Sequence, residues 1–509
     1  MAVNNHLISL MVLLPLIGVI FQAFLPKRTG VSSESLSRWA ALVTSLAGSI
    51  FGFILIATMS RQTPELQAVE SFSWVGAYAI SYEVGIDGLS ALLVLLVAIV
   101  FPILIAAEWN QKNGSRGMYA LFLILQSTLA GALCAQDLFL QFFFWAVSAL
   151  PFYFLVGIWG GEQRENSASR LISVSSIGNA FVLAALILIY YAADPHTFSL
   201  RELANSRLAE KNFEIFEHRL SVAPVAFGLL AAGLGLRTAV WPFHGWFTGV
   251  AKEAPASVFV ALCGATIPVG VYIFIRLAYS LFPETLVASV GWIIAVGVLN
   301  VAVGMVSAVA QRDLRLLLAF FCISEMGFIL IGLASLNPAG MVGAVYQQLS
   351  LGLGLAGFGL FSGIITERAG HSVFLPEDGE TSKFGGVAMR APLIAVIAGA
   401  FTVSLLGFPG FGGFVGKTLV YLGSYPGYPV PLVIAIVTML LATYCLFTMY
   451  RQMFLGHAGA ESEKVLDLGI RERSYLLPLV LALLICGIYP KPLLELVRPT
   501  VLTLLSLVK

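Results

Sequence analysis

The sequence is dominated by apolar runs of about 20 residues, the length that a helix needs to cross the hydrocarbon core of a bilayer. Fourteen such runs follow one another along the 509 residues, beginning near Leu7, Trp39, Leu89, Met118, Leu138, Leu171, Ala223, Ser257, Thr285, Leu316, Met341, Ala391, Pro431 and Tyr475. Charged residues make up only 11% of the chain, whereas a soluble domain carries about 25%. The expected fold is therefore an all-α integral membrane protein with about 14 transmembrane helices.

The distribution of basic residues predicts the orientation of these helices, because cytoplasmic loops carry an excess of Lys and Arg. The loops after odd-numbered spans hold 17 of the 28 basic residues, and the opposite side holds eight. We expect the odd loops, including 112–116 and 464–473, to face the cytoplasm of a bacterial inner membrane, with both termini in the periplasm. The mixed segment 200–220 is expected to form a short surface helix.

Ionisable residues within the predicted spans are candidate functional groups, because each costs about 2.5–3.5 kcal/mol to insert. Arg237, Arg276 and Lys417 are the basic members and Glu325 is the acidic one, while Asp137 and Glu108 lie at span edges. Arg276 lies near a span end, where a long side chain reaches the interface. We therefore expect function mainly at the other positions.

The cysteines and histidines provide no cofactor motif. The five cysteines are single and lie in apolar runs, without a CxxC pair, so neither an iron–sulfur cluster nor a zinc site is expected. No nucleophile with a base and no phosphate loop is present, and a net charge of +1 argues against nucleic-acid binding. We expect no cofactor, metal or active site in this chain itself.

Two short segments resemble each other and interrupt predicted spans. WPFHGWFTG at 241–249 lies in the seventh span and FPGFGGFVG at 408–416 in the twelfth. The two spans are five apart, and an odd shift in span number reverses the direction in which a helix crosses the membrane. The pattern therefore predicts two inverted five-helix repeats, spans 4–8 and 9–13. The alternative is a chance similarity between helices rich in Gly and Phe. The chain is expected to begin with a three-helix region at 1–117. The two half-channel repeats are expected at 118–282 and 283–455, and a C-terminal helix and tail at 456–509.

A set of motifs then resembles a known family. In order, these are GIDGLS at 85–90, FFFW at 142–145 with Pro151 and GIWGG after it, PFHGW at 242–246, QRDLRLLLAF and SEMGF within 311–328, and GFPGFGGFVGK at 407–417. The chain resembles the antiporter-like membrane subunits of respiratory complex I and the related Mrp-type cation/proton antiporters, over nearly its whole length. It is most similar to the M-type subunit, because no long lateral helix follows the fourteenth span.

The resemblance implies a proton path built from charged residues in two half-channels, driven by quinone reduction in partner subunits that hold flavin and iron–sulfur clusters. Arg237 stands where the family usually has lysine. Lys417 stands where M-type subunits commonly have glutamate. His244 matches a histidine beside the seventh-span break, and Asp137 matches an acid near the start of the fifth span. Lys417, Glu325, Arg237, His244 and Asp137 are therefore the candidate proton-path residues.

Several family charges are missing from this sequence. The fifth-span glutamate is replaced by Ala146, the eighth-span lysine by Pro268 and the eleventh-span histidine by Leu351, while Glu325 occupies the place of a tenth-span histidine. A guanidinium at position 237 does not readily release a proton, whereas a buried lysine does. The resemblance therefore leaves open whether this subunit pumps.

Each candidate residue also has a purely structural interpretation. Lys417 is either a proton-exchanging amine or a cation that caps the carbonyls of a broken helix. Arg237 either steers protons or holds the broken seventh span together. Glu325 either carries protons or pairs with Lys417, and His244 is either a proton-loading group or an ordinary interfacial histidine.

Three functions remain possible on this basis. The first is a proton-translocating subunit of an NADH:quinone oxidoreductase related to complex I. The second is a subunit of a Mrp-type antiporter or of a bicarbonate-uptake complex. The third is a structural paralogue that fills a place in the membrane arm without conducting.

Overall fold

The computed structural model describes residues 6–25, 31–110, 115–215, 218–375, 384–459 and 461–508. The first half of the chain forms α1 (Leu7–Phe24), α2 (Val31–Thr58), β1 (Gln67–Val75), β2 (Ile80–Ile86), α3 (Gly88–Ala107), α4 (Ser115–Cys134), α5 (Leu138–Val147), α6 (Ala149–Trp159), α7 (Arg164–Ala192), α8 (Leu200–Leu203), β3 (Asn212–Ile215), β4 (His218–Ser221), α9 (Val222–Arg237), α10 (Gly245–Glu253), α11 (Ala256–Val260) and α12 (Ile267–Leu281).

Among its described residues, the second half has helices and connecting turns but no strand. It forms α13 (Pro283–Val309), α14 (Leu314–Ala334), α15 (Pro338–Ala369), α16 (Val387–Arg390), α17 (Pro392–Leu406), α18 (Gly412–Ser424), α19 (Pro429–Phe454), α20 (Ile470–Ile488) and α21 (Lys491–Ser506).

The lengths and compositions of the helices are those of a membrane protein. Within the described residues, eleven helices are long and apolar enough to cross a bilayer, and α20 with α21 makes a twelfth candidate, bent by 69°. Helices α9 and α17 are apolar but shorter, and they occupy the seventh and twelfth predicted runs. The predicted C-terminal tail is thus largely helix α21. Residues 112–114 of the predicted cytoplasmic loop lie outside the described residues, as do residues 1–5 and 509 at the termini.

The two spans predicted to be broken are indeed interrupted. Helix α17 ends at Leu406, and Gly407 (φ 75°) and Gly410 (φ 96°) adopt the left-handed conformation that glycine tolerates best, before α18 begins. Helix α9 ends at Arg237, and a turn containing Pro242 separates it from α10. Each break leaves helix-end polar groups inside an apolar bundle, where side chains must satisfy them.

The eighth span changes its helical form in the middle. A π-helical segment, Ala261–Thr266, joins α11 to α12, and Pro268 follows it within the first turn of α12. Proline lacks the N–H that an α-helix would use, and a π-helical turn is one way in which a continuous helix accommodates such a residue. Pro268, which replaces the lysine usual in the family, therefore lies next to a stretch of altered helical form.

Small antiparallel hairpins lie between the spans. Strand β1 pairs with β2, and β3 pairs with β4 so that Phe213 faces Leu220. The expectation of a surface helix over 200–220 is wrong beyond α8, because only Leu200–Leu203 is an α-helix and apolar residues then alternate with polar ones, the period of a strand.

Helix α15 occupies the centre of the bundle. It packs on α14, α17 and α18 of the second half and on α3, α11 and the π-helical segment of the first. Nearly all residues from Gly340 to Ile365 are buried. Polar residues on α15 therefore lie inside the bundle, beside the broken helix formed by α17 and α18.

Candidate functional site

Lys417 and Glu325 form a buried ion pair. The Lys417 ammonium on α18 lies 2.7 Å from Glu325 Oε1 on α14, and the two side chains are only 5% and 7% exposed. Lys417 also donates to the carbonyl of Leu405 at 2.8 Å. That carbonyl belongs to the last turn of α17, where helical carbonyls lack partners. The lysine therefore caps the break, which is the structural interpretation of Lys417, and neutralises an acid, which is the pairing interpretation of Glu325.

Gln347 on α15 is a third residue of this site, and the sequence analysis did not predict it. Its amide nitrogen donates to Glu325 Oε2 at 2.9 Å. Gln347 Oε1, both amide atoms of Gln348 and the Ser350 hydroxyl are buried without a hydrogen-bond partner among the described residues. Unpaired amides are costly inside a membrane protein. The polar sequence QQLS inside an apolar run was the signal that could have revealed this surface.

A small polar cavity adjoins the ion pair. Its volume is about 20 Å³, and its lining includes Glu325, Lys417, Ser324, Tyr421 and Thr438. This is enough space for one water molecule, given that about 10–15 Å³ is required. The cavity therefore has room for a water molecule that could hydrogen-bond to the ammonium and the carboxylate and carry a proton.

Arg237 lies in the first half, in contact with the junction between α5 and α6 at Ser148. Its guanidinium donates to the carbonyl of Trp145 at 2.7 Å, to the hydroxyl of Ser148 at 2.9 Å and to Asn179 Oδ1 at 3.2 Å, and it lies 3.9 Å from the centroid of the Trp145 ring. No carboxylate is among these partners. The hydrogen bonds from Arg237 to Trp145 and Ser148, on either side of Ala146, confirm that the fifth and seventh spans meet. They also show that the Arg237 guanidinium is held by neutral groups.

His244 and Asp137 lie apart from the ion pair, with which they share no hydrogen bond in the described residues. His244 is the N-cap residue of α10, its ring centroid lies 6.2 Å from that of Phe320, and its Nδ1 atom has no described partner. Asp137 is the buried N-cap of α5, accepting from the backbone N–H of Leu140 at 2.9 Å and of Ser81 at 3.0 Å. Asp137 therefore joins the first hairpin to a helix end.

A second buried ion pair corrects the expectation for Arg276. Instead of extending to the interface, its guanidinium pairs with Asp87, the N-cap residue of α3, and donates to Gln136 Oε1 at 2.8 Å. The arginine side chain is 11% exposed. Asp87 belongs to the GIDGLS motif, so the motif has a structural role here: it anchors α12 to the start of α3.

Comparisons with known proteins agree with this architecture. The sequence matches the family described as NADH:quinone oxidoreductase/Mrp antiporter, TM, over residues 135–443. It is 32% identical to NAD(P)H-quinone oxidoreductase chain 4 2 of Thermosynechococcus vestitus, over 95% of this chain and 89% of that protein. It is 28% identical to NADH-quinone oxidoreductase subunit M of Rhodobacter capsulatus, over 98% and 96%.

The fold is also that of a solved structure. A chain of respiratory complex I from Thermus thermophilus superposes with a TM-score of 0.85 at 24% identity, covering 98% of this chain and 100% of that one. This chain therefore belongs to the family of membrane subunits shared by NADH:quinone oxidoreductases and Mrp antiporters. The resemblance inferred from the motifs is confirmed.

Proposed function

We propose that this chain is an antiporter-like, proton-translocating subunit in the membrane arm of an NADH:quinone oxidoreductase related to complex I. The observation that carries the proposal is the buried Lys417–Glu325 pair at the break between α17 and α18. Ammonium and carboxylate are both able to exchange a proton, and their mutual distance makes the charge of one depend on that of the other. Family membership and the relatives named chain 4 and subunit M support this assignment.

The proton path runs through the second half of the chain. Lys417, Glu325 and the polar face of α15 all meet there, and the adjoining cavity has room for water. In the first half Arg237 is held by neutral partners, and a guanidinium retains its proton. Ala146 supplies no acid, and Pro268 supplies no base. The first half therefore holds a fixed positive charge.

The proposed topology has fourteen spans with two inverted repeats, spans 4–8 and 9–13. Eleven long helices, the bent pair α20–α21 and the shorter helices α9 and α17 together support this number. Interruptions at the seventh and twelfth spans support the repeat, because broken helices at matching positions mark transport paths. The even number of spans and the excess of basic residues in the loops after odd-numbered spans support the proposed orientation, with both termini in the periplasm of a bacterial inner membrane.

The chemistry of electron transfer belongs to partner subunits in this proposal. Other membrane-arm subunits adjoin this chain, and subunits outside it hold flavin, iron–sulfur clusters and the quinone site. The expected ligands of this chain are protons, water and lipid. The family description also covers Mrp antiporters, so a cation/proton antiporter subunit is the second candidate.

Proton translocation by the whole complex in liposomes tests the proposal. Lys417→Met keeps the volume of the side chain and removes the ammonium, and we expect proton translocation per electron to fall while the complex still assembles. Lys491→Met is the matched control, because that lysine is 72% exposed on α21. Wild-type pumping by the Lys417 variant would favour the structural-paralogue alternative. Sodium-dependent proton movement without quinone reduction would favour the antiporter.

A further inference from the structure

A large apolar cavity lies beside the broken seventh helix, and neither member of the ion pair lines it. Its volume is about 450 Å³, and it is bounded by α9, the turn after α9, α12, α13 and α14. Residues that define it include Gly228 and Thr238 on the α9 side, Trp292 on α13 and Met326 on α14. No charged, amide or imidazole side chain lines it among the described residues. The proposed proton path makes no use of this cavity.

The cavity opens onto the apolar outer surface of the bundle. Trp292 and Phe243 at its edge are 79% and 44% exposed, and Val287 and Val306 on α13 are 45% and 62% exposed. Helix α13 is 27 residues long and apolar, with only a third of its membrane-spanning stretch buried. The opening is therefore continuous with a surface whose composition matches the hydrocarbon of a bilayer.

From this geometry we infer that the cavity binds the acyl chain of a membrane lipid. Apolar cavities of this kind exclude water, and hydrocarbon is the solvent outside the opening. The volume falls in the range of about 300–1,000 Å³ typical of ligand sites. A lipid headgroup finds no charged partner here, so only the chain enters, and the headgroup remains at the membrane surface.

The bound chain contacts the break in the seventh helix. Thr238 lines the cavity directly after Arg237, and Trp241 lines it while donating its backbone N–H to Asn300 Oδ1 on α13 at 3.0 Å. An acyl chain packed against these residues supports the turn that separates α9 from α10. Lipid therefore supplies part of the packing that positions the seventh-helix break.

Photolabelling tests the inference with a phospholipid that carries a diazirine near the middle of one acyl chain. The assembled complex is reconstituted with this lipid, illuminated and mapped by mass spectrometry. Leu330 on α14 lines the cavity and is partly exposed, so we expect a chain that enters to label it. Val306 on the outer surface reports contact with bulk lipid. A diazirine in the headgroup should leave Leu330 unlabelled.

Two glycine variants provide a test of the cavity and its matched control. A Cβ atom added at Gly228 or at Gly291 meets no heavy atom within 4 Å, and both glycines lie within helices, but only Gly228 lines the cavity. Gly228→Phe should abolish labelling of Leu330 and leave Val306 labelled, whereas Gly291→Phe should leave both labelled. Thermal unfolding of each variant checks folding.

Several results would overturn the inference. Labelling confined to outer residues such as Val306 would show that bulk lipid alone contacts this face. Labelling of Leu330 that persists in Gly228→Phe would show that the label arrives by another route. Labelling of Leu330 in the isolated chain but not in the assembled complex would show that a partner subunit fills the cavity. None of these outcomes depends on whether the chain pumps protons.

Discussion

The Lys417 ammonium lies 2.7 Å from Glu325 Oε1, and this contact joins α18 to α14 inside the apolar bundle. The glutamate receives a second hydrogen bond from Gln347, and the lysine donates a second to the carbonyl of Leu405. Removing one member of a buried ion pair costs about 3–5 kcal/mol, because the other charge is left unpaired. The two residues should therefore behave as a unit when they are changed.

Glu325→Gln and Lys417→Met should each lower proton translocation, and the double variant should lower it little further. The reason is that each single change already interrupts the same proton-exchanging pair. Free energies of unfolding should show the same less-than-additive coupling: the double variant should be more stable than the sum of the single effects predicts. Additive losses of translocation would show that the two side chains act independently.

Gln347→Leu tests the hydrogen bond to Glu325 without touching either charge. A hydrogen bond to a charged group contributes about 1.5–3 kcal/mol, so the variant should lower stability by an amount in that range. In a Glu325→Gln background the same change should cost less, because the charged acceptor is gone. Equal losses of stability in both backgrounds would mean that Gln347 acts through packing alone.

Ala146→Glu should be tolerated because Arg237 lies beside it. The neighbours Trp145 and Ser148 both accept hydrogen bonds from that guanidinium. A new carboxylate there should find a cation, so assembly and thermal stability should remain near wild type. In an Arg237→Met background the same glutamate should cost about 2.5–3.5 kcal/mol, the penalty for an unpaired charge in a span. Equal tolerance in both backgrounds would show that residue 146 does not face the guanidinium.

Arg276→Leu should destabilise the protein by about 3–5 kcal/mol, since it leaves Asp87 buried without its cation. Thermal unfolding of the purified complex measures the loss. Arg207→Ala is the control, because Arg207 and its partner Glu210 are 78% and 68% exposed, and exposed pairs contribute about 0–1 kcal/mol. A small effect of Arg276→Leu would mean that the pair is not needed to anchor α12.

The orientation can be tested by cysteine labelling in intact cells. The five native cysteines are buried, so a membrane-impermeant maleimide should report only introduced ones. Lys464→Cys, in the predicted cytoplasmic loop, should stay unlabelled, and Arg207→Cys, in the predicted periplasmic loop, should react. Reaction at position 464 from outside would reverse the orientation and the assignment of the repeat.

The local sequence was sufficient to predict the helices and their interruptions. Whether a run of 20 residues enters a membrane depends on its own side chains, and the positions of glycine and proline determine where a helix stops. For this reason the predicted runs coincide with apolar helices, and the breaks near 241–249 and 408–416 were foreseen. The ionisable residues inside spans could also be found, because each stands out against an apolar background.

The partners of those residues were decided only by the tertiary structure. Lys417 with Glu325 was a correct prediction, but Arg276 with Asp87 and Gln347 with Glu325 join segments whose spacing in sequence carries no signal of contact. The sequence showed Ala146 in the place of the family glutamate, but the hydrogen bond from Arg237 to the Trp145 carbonyl became visible only in the tertiary structure. Membrane insertion is a property of single segments, whereas pairing inside the bundle depends on how distant helices pack, and that packing is what local composition does not encode.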